Sequence, residues 1–495
     1  MSFKTITLFF LCSVVTVSLA QSTFKANQAF HPGEPNSAYK VAEHEGHYYV
    51  GGNYFDDVIG IWTAFYSVYN SEGILIDFRT ERKDTMSANS ISSKIMKNSS
   101  GLYYLGSYLG NSKLNHYNFA LDSSWISHEV NARANNFIPH DATYSSATQT
   151  FFIVGNNINE NNEQHVRIVS LQDTILDIFH DGPNSGFIDY GRGITLNSDD
   201  NIVVLGVRAY PNDRASFIMI LDQELKVLHT TQGTDEEMDF PALSGFMVDS
   251  EDNIVVPGAG VIDGSFHQLV AKLDPQGKLI WKKKLDYNHN NRDLTGQWRS
   301  IVETHEKDGY IIAGSESYQS TQADTFIVKA ALAKLSSDGN EEWYRTYRYR
   351  SGLRASDGFY DIEPTSDGGY VAVGGSPVFG YPTEEELPWV QSIIMKVDAE
   401  GRLDKTSAAQ IVLDKQASMT VYPNPSSDLL YLTQDSNQEL QITIYDNAGK
   451  VMDRFSSEHS DNTTILSVAN YPSGMYKIVS RSREGTVAMQ SFVKQ

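Results

Sequence analysis

The stretch DGGYVAVGG at residues 367–375 combines a tight turn with a short apolar strand that ends on glycine. Similar stretches occur six more times upstream. The glycines that close the seven strands are Gly51, Gly106, Gly155, Gly206, Gly258, Gly314 and Gly374. Successive members of this set are 49 to 60 residues apart. Self-similarity with a period of about fifty residues indicates a repeat architecture.

Each repeat contains the signals of four short strands. An alternating segment precedes the turn, as in SIVETH at 300–305, and a third strand follows the glycine, as in QLVAKLD at 268–274. A fourth strand begins at LIW, 279–281, or at EEW, 341–343. Four antiparallel strands joined by turns form one sheet, which cannot cover both of its faces alone. Radial stacking solves this problem, so the sequence predicts an all-β chain whose body is a seven-bladed β-propeller.

Three details of this ring are predicted. The closing glycines allow a close approach of the backbone where the sheets converge. Trp281 and Trp343 are expected to pack between neighbouring blades. Residues 23–30 precede the first blade as 281–288 precede the sixth, so this N-terminal piece is expected to join the last blade as its outer strand. The segment 401–410 competes for the same place.

The blade pattern resembles a known group of proteins. LDPQGKLIWKKKL at 273–285, together with DGYIIAG at 308–314, is similar to secreted bacterial propellers that have a glycine-closed strand and a D-x-x-G-x-x-x-W turn. The resemblance extends over about residues 37–405. It implies the fold and no shared activity.

The first twenty residues are typical of a secretory signal peptide. Lys4 provides a positive start, residues 6–17 form an apolar run, and Ser18-Leu19-Ala20 matches a cleavage site. The run is too short to span a bilayer, and no second one follows, so no transmembrane segment is expected after cleavage. Cleavage also removes Cys12, the only cysteine. Disulfides and thiolate metal sites are therefore excluded from the mature chain.

The net charge of the chain restricts the kind of binding partner that is expected. The formal net charge is −22, from 61 acidic and 39 basic residues. Nucleic-acid binding is disfavoured because phosphates require a basic face, and an acidic surface suits solubility outside the cell. We expect a propeller body at 21–404, a linker at 405–418 and a small C-terminal β-sandwich at 419–495.

The tail has the turn and strand signals of a compact all-β unit. Apolar strands such as LLYLT at 429–433 alternate with proline and glycine turns. Its motif residues, in order, are Tyr422, Pro423, Asn424, Pro425, Asp446, Gly449, Lys450, Gly474 and Tyr476. These motifs closely resemble the C-terminal sorting domain of type IX secretion substrates. The resemblance implies the type IX secretion machinery as a partner, and transport through the periplasm to the outer cell surface or the medium.

A search for chemistry finds no catalytic signature. G-x-S-x-G, H-E-x-x-H, Walker and EF-hand patterns are all missing from the sequence. When the first strands of the blades are aligned, one equivalent position near the channel mouth holds Ser37, Ser92, His140, Arg192, Ser244, Arg299 and Tyr360. His140, Arg192, Arg299 and Tyr360 are candidate binding residues, because guanidinium groups recognise carboxylate or sulfate. Water-filled polar linings are the ordinary alternative.

Acid-rich turns raise the question of a metal. The turns at 197–201, 249–253 and 365–369 contain carboxylates of the kind that calcium binds. Hairpin turns require the same residue types, and each turn lies where the repeat needs one. No cofactor is therefore expected, with calcium as the alternative.

These observations favour a secreted or surface-displayed propeller that binds an extracellular glycan or protein without catalysis. Two rival hypotheses remain. One is an extracellular glycan hydrolase or lyase whose scattered carboxylates converge only on folding. The other is a structural component of surface or adhesion machinery.

Overall fold

The fold was analysed in a computed structural model of the chain. It describes residues 23–26, 35–56, 60–80, 90–91, 94–108, 111–119, 127–129, 137–158, 164–172, 175–180, 188–210, 213–232, 245–262, 265–285, 297–319, 326–349, 356–377, 390–403, 419–434, 440–446, 451–457, 463–482 and 487–495. The predicted signal peptide and the linker at 405–418 lie outside the described residues. No helix within these ranges has the length and apolar character needed to cross a membrane.

The described body consists of strand β1, Phe24–Ala26, and antiparallel sheets that follow one another along the chain, here called blades 1 to 7. Blade 1 contains β2 Asn36–His44, β3 His47–Asp56, β4 Ile61–Tyr69 and β5 Leu75–Thr80. Blade 2 contains β6 Ser90–Ile91, β7 Met96–Asn98, β8 Gly101–Tyr108, β9 Asn111–Tyr117 and β10 Ser127–Glu129. Blade 3 contains β11 Phe137–Ser145, β12 Thr150–Ile158, β13 Gln164–Leu171 and β14 Ile175–His180.

The remaining blades repeat this pattern. Blade 4 contains β15 Ile188–Leu196, β16 Ile202–Tyr210, β17 Asp213–Leu221 and β18 Val227–Gln232. Blade 5 contains β19 Met247–Val248, β20 Ile254–Ile262, β21 Ser265–Leu273 and β22 Leu279–Lys284. Blade 6 contains β23 Gln297–Glu303, β24 Gly309–Gln319, β25 Phe326–Ser336 and β26 Glu341–Tyr347. Blade 7 contains β27 Gly358–Pro364, β28 Tyr370–Pro377 and β29 Val390–Val397, with β1 as its fourth strand.

The blades form a closed ring because each shares an apolar core with the next. Separate clusters of buried side chains join blades 1 and 2, 2 and 3, 3 and 4, 4 and 5, 5 and 6, and 6 and 7. A further cluster joins blade 7 to blade 1, with Val373 and Ile394 against Val50 and Phe65. Each sheet thus covers its faces with its two neighbours, as the repeat predicted, and the body is a β-propeller.

The N-terminal strand closes the ring. In β1, Phe24, Lys25 and Ala26 pair with Lys396, Met395 and Ile394 of β29. The predicted outer strand of the last blade is confirmed in its described part, Phe24–Ala26. Residues 401–403 of the competing segment lie in a turn and do not pair, and 404–410 fall outside the described residues.

Aromatic side chains of the outer strands pack onto the turn that follows the third strand of the next blade. Trp281 and Trp343 join the clusters between blades 5 and 6 and between blades 6 and 7, which confirms their predicted place. Each ring lies over a turn glycine: an added Cβ would lie 2.9 Å from Trp281 at Gly339 and 2.7 Å from Trp343 at Gly401. Both glycines have positive φ, 75° and 70°, a second reason for the D-x-x-G turn.

A β-bulge in the inner strand, which is the first strand of a blade, explains the repeated closing glycine. In blade 3 the pairing with β12 shifts between Pro139 and Asp141, opposite Gly155. A Cβ on Gly155 would lie 2.2 Å from the carbonyl oxygen of Ile138, and one on Gly374 would lie 1.8 Å from that of Gly358. The predicted close approach therefore exists, but its partner is the bulged inner strand of the same blade.

The tail contains two sheets with a common core. β30 Met419–Tyr422, β31 Leu429–Gln434 and β34 Thr463–Ser467 form one sheet. The second contains β32 Leu440–Tyr445, β33 Val451–Ser457, β35 Gly474–Ser482 and β36 Val487–Lys494. Leu430 and Leu432 from the first sheet pack with Ile442, Ile444 and Phe492 from the second. The tail also touches blade 1, where Lys477 Nζ donates to the carbonyl oxygen of Ile76 at 2.5 Å.

Candidate functional site at the channel mouth

The four candidate binding residues occupy the same structural position. The register shifts show His140, Arg192, Arg299 and Tyr360 as the extra residue in the bulges of β11, β15, β23 and β27. These bulges lie near the start of each inner strand, at one end of the ring, here called the channel mouth. A bulged residue is unpaired and its side chain is redirected, so a repeated bulge presents a ring of side chains.

Blade 1 differs from the sequence alignment. Its bulge lies between Ala38 and Lys40, so Tyr39 occupies the position that was assigned to Ser37. The alignment was wrong because it counted back from Gly51, whereas Gly52 faces the bulge. Tyr39 lies 13 residues before Gly52, whereas the other collar residues lie 14 or 15 residues before their closing glycines. Ser92 and Ser244 lie outside the described residues.

Three members of the ring stack on one another. The guanidinium carbon of Arg299 lies 4.8 Å from the ring centroid of Tyr360. Tyr360 in turn stacks on Tyr39, with ring centroids 5.4 Å apart and an interplanar angle of 13°. Burial raises the pKa of Tyr360, although the charge of Arg299 opposes the shift. The three residues come from blades 6, 7 and 1, so Tyr360 is held between its two neighbours and Arg299 is aligned by a cation–π contact.

His140 and Arg192 form the other described part of the ring. Burial, followed by the positive charge of Arg192, lowers the pKa of His140 to about 4. His140 is therefore neutral at physiological pH. Its Nε2 is buried and makes no hydrogen bond with the described part of the chain, whereas Arg192 is exposed. Together we call Tyr39, His140, Arg192, Arg299 and Tyr360 the collar.

Carboxylates just below the collar are structural. Asp141 accepts hydrogen bonds from the backbone N–H groups of Lys94 and Ile194, both at 3.2 Å. Asp361 accepts one from the backbone N–H of Val41 at 3.1 Å and one from Ser300 Oγ at 2.8 Å. Each carboxylate thus joins the inner strands of neighbouring blades. Sequence reasoning missed both, although each directly follows a collar residue.

Charged side chains cross the channel further down. Lys94 Nζ of blade 2 donates to the carbonyl oxygen of Phe246 in blade 5 at 3.5 Å. Lys97 donates to Glu363 of blade 7 at 2.7 Å, and also to the carbonyl oxygen of Glu43 at 3.0 Å. These contacts connect blade 2 with blades 5, 7 and 1 below the collar.

The acid-rich turns use their carboxylates within the fold. Third-strand lysines pair with turn aspartates: Lys272 with Asp249 at 3.1 Å and Lys396 with Asp367 at 2.9 Å. Burial alone would raise the pKa of Asp367, but hydrogen bonds from Thr365 and Lys396 outweigh it and lower the pKa. Within the described ranges, three or more His, Asp or Glu side chains nowhere form a metal-binding group. Calcium binding at these turns stays an alternative prediction.

The predicted sorting residues divide into core and surface positions. Tyr476 is buried beside Phe492 and donates its hydroxyl to the carbonyl oxygen of Pro472 at 2.7 Å. Asn424 binds the final strand twice, donating to the carbonyl oxygen of Ser491 at 3.1 Å and accepting from the N–H of Val493 at 2.9 Å. The Tyr-Pro-Asn-Pro opening thus attaches the start of the tail to its end.

The other sorting residues are exposed, half-buried or outside the described residues. Tyr422 is half exposed and stacks on Tyr431 at 5.5 Å between ring centroids. Asp446 follows β32, and Gly474 begins β35. Gly449 and Lys450 lie outside the described residues.

Comparison with protein families identifies the tail. Residues 420–495 match the family described as the secretion system C-terminal sorting domain. The tail is a type IX secretion sorting domain. It directs the protein through that system to the cell surface or the extracellular space, as its motifs predicted. No curated protein sequence matches the chain.

Several solved structures are similar to the chain at low sequence identity. The β-propeller domain of the trilobed protease from Pyrococcus furiosus is 10% identical, with 78% of this chain and 100% of that chain covered and a TM-score of 0.44. An ulvan lyase of a new polysaccharide lyase family is 11% identical, with 70% and 93% covered and a TM-score of 0.44. A fungal alcohol oxidase is 12% identical, with 94% and 98% covered and a TM-score of 0.42. At these values the likenesses carry no statement about activity.

Proposed function

We propose that this exported propeller is a non-catalytic binding protein whose collar holds an anionic group of an extracellular glycan or protein. The observation that carries the proposal is the position of two exposed arginines, Arg192 and Arg299, in equivalent bulges at one end of the ring. Guanidinium groups present a fork of N–H donors that fits carboxylate and sulfate oxygens.

The stacked tyrosines favour recognition of charge over recognition of a sugar ring. Tyr360 is flanked by Arg299 on the blade 6 side and by Tyr39 on the blade 1 side. Its faces are therefore occupied, and its role is to orient the Arg299 guanidinium. An arginine held in this way loses less side-chain entropy when it binds an anion.

The carboxylates near the mouth support binding rather than hydrolysis. A glycosidase needs one carboxylic acid and one carboxylate facing the scissile bond. Asp141 and Asp361 are buried, and their oxygens accept hydrogen bonds from the inner strands. Neither is positioned to serve as a free acid or base at the collar.

The test is a double substitution, Arg192→Met with Arg299→Met, in the mature protein. Binding to sulfated and carboxylated polysaccharides should weaken by at least about tenfold, since charge-assisted hydrogen bonds contribute about 1.5–3 kcal/mol each. Arg345→Met is the matched control, because Arg345 lies on outer strand β26 and also contacts an aromatic ring. Calorimetric titration measures the affinity, and wild-type binding should weaken with added salt.

Two outcomes oppose the proposal. Undiminished affinity of the double variant removes the collar as the binding site. If any of the tested polysaccharides releases reducing ends, and the double variant still causes this release, the enzyme hypothesis is favoured instead.

Export is tested separately. A chain that lacks residues 419–495 should accumulate in the periplasm, while a change confined to the collar should leave secretion into the medium at the wild-type level.

A further inference from the structure

Arg167 in blade 3 is a buried arginine that belongs neither to the collar nor to the channel contacts described above. Arg167 lies on β13, the third strand of blade 3, and is only 5% exposed. Its neighbours on the strand, Val166 and Ile168, are fully buried. Arginine remains protonated in proteins, so a full positive charge lies within the body.

The described part of the chain supplies no counter-charge to this group. Arg167 Nε is buried without a hydrogen-bond partner, and no ion pair involves Arg167 among the described side chains. Burial lowers the pKa of Arg167 with nothing opposing the shift. Other buried cations form ion pairs: Lys272 lies 3.1 Å from Asp249, and Lys396 lies 2.9 Å from Asp367.

The neighbouring strands indicate the direction of the Arg167 side chain. Arg167 pairs with Gly155 on β12, which pairs with Pro139 on β11. Because Gly155 has no side chain, Arg167 extends across it towards the inner strand, and its guanidinium carbon lies 5.6 Å from the ring centroid of Phe137. Phe137 belongs to the cluster between blades 2 and 3, so the guanidinium faces blade 2.

The chemistry of this position defines a ligand. A guanidinium that lies over an aromatic ring keeps its N–H edge free in its own plane. An uncompensated buried charge is unfavourable, and an anion at that edge compensates it. The ligand must be small, because Phe137, Ile153 and Val169 on the same face of blade 3 are fully buried.

We propose that Arg167 holds one small anion, of the size of chloride or formate, in the interior between blades 2 and 3. This site is separate from the collar and does not depend on the collar's proposed function. It serves the stability of the ring, because the anion supplies the counter-charge that the described residues do not.

The experiment is thermal unfolding of the mature protein at constant ionic strength, with chloride or formate replacing the larger anion gluconate. The melting temperature of the wild type should rise with either small anion and then saturate. Arg167→Met should abolish the rise, because methionine fills a similar volume without charge. Arg345→Met and the collar double variant should keep it, which separates this proposal from the proposed function. Equal chloride dependence in the wild type and in Arg167→Met overturns the site.

A second measurement does not depend on a variant. Crystals of the wild type grown in bromide should show an anomalous peak in the guanidinium plane of Arg167, within roughly 4 Å of its nitrogens. Crystals in which Arg167 is ordered and no such peak is present overturn the proposal as well. A rise with chloride but not with formate identifies a halide site, and equal rises identify a site for any small anion.

Discussion

Phe24→Ala tests whether the N-terminal strand closes the ring. Phe24 is 1% exposed and lies between blades 7 and 1, with its ring centroid 5.5 Å from that of Tyr48. An added Cβ on Gly73 would lie 2.4 Å from the Phe24 ring, so this ring covers the blade 1 turn as Trp343 covers Gly401. The described part of β1 has only three residues, so its attachment depends strongly on this side chain.

The expected cost follows from burial. Replacing a fully buried phenylalanine with alanine removes its transfer free energy and leaves a cavity, which together cost about 3–5 kcal/mol. Detachment of β1 would also remove its backbone hydrogen bonds to β29. Since domains have only about 5–15 kcal/mol of stability, the loss should be large in urea unfolding.

Hydrogen exchange of β29 separates ring opening from a simple packing defect. Trp343→Ala is the matched control, because it removes an aromatic ring from the same kind of seam but leaves β1 in place. Ile280→Ala, at a side chain that is 52% exposed, should cost no more than about 0.5 kcal/mol. Only Phe24→Ala should accelerate exchange along Val390–Val397. A cost below about 1 kcal/mol, or exchange of β29 no faster than in Trp343→Ala, would refute the closure.

Three further predictions concern the bulge, a buried ion pair and the collar. Gly374→Ala should destabilise the fold by about 1–3 kcal/mol. Gly358→Ala should be tolerated, because its new Cβ would lie 3.6 Å from its nearest neighbour. Equal midpoints of urea unfolding for the two variants would contradict the bulge explanation. Asp367→Asn should cost about 3–5 kcal/mol at pH 7, because Asp367 is the ion-pair partner of Lys396, whose side chain is fully buried. The pKa of Asp367 is lowered on folding, so the wild type should lose this contribution below about pH 4, and a variant with unchanged acid sensitivity would argue against the pair. The pKa of His140 falls to about 4 on folding, so the wild type should lose up to roughly 3 kcal/mol of stability between pH 6.5 and 4 relative to His140→Gln. Parallel profiles of stability against pH for the two proteins would show that His140 titrates normally.

The sequence was a good guide to features that repeat locally. Its glycine spacing predicted the sheets, and counting from each glycine placed His140, Arg192, Arg299 and Tyr360 at one equivalent position. The same count failed in blade 1, where Glu45 and Gly46, both with positive φ, form the turn between His44 and His47. A shorter turn moves the bulge, and the pattern alone does not reveal that shift.

No feature of the sequence predicted that Arg167 would lack a counter-charge among the described residues. The segment QHVRIVSL at 164–171 has the form of a central strand with one polar residue, a pattern that is also compatible with a paired arginine. Whether a carboxylate meets the guanidinium depends on the neighbouring blade, and that blade is built from a different part of the chain.

The amino-acid sequence by itself determined the strands, the repeat and the sorting tail, because strand alternation, turn glycines and short motifs act over a few residues. Only the tertiary structure decided which charges are compensated and which face the mouth. Asp361 accepts the N–H of Val41 across 320 residues of sequence, and Arg167 meets no such partner among the described residues. Such outcomes depend on ring closure, since electrostatic and hydrogen-bond energies follow distance in space rather than separation along the chain.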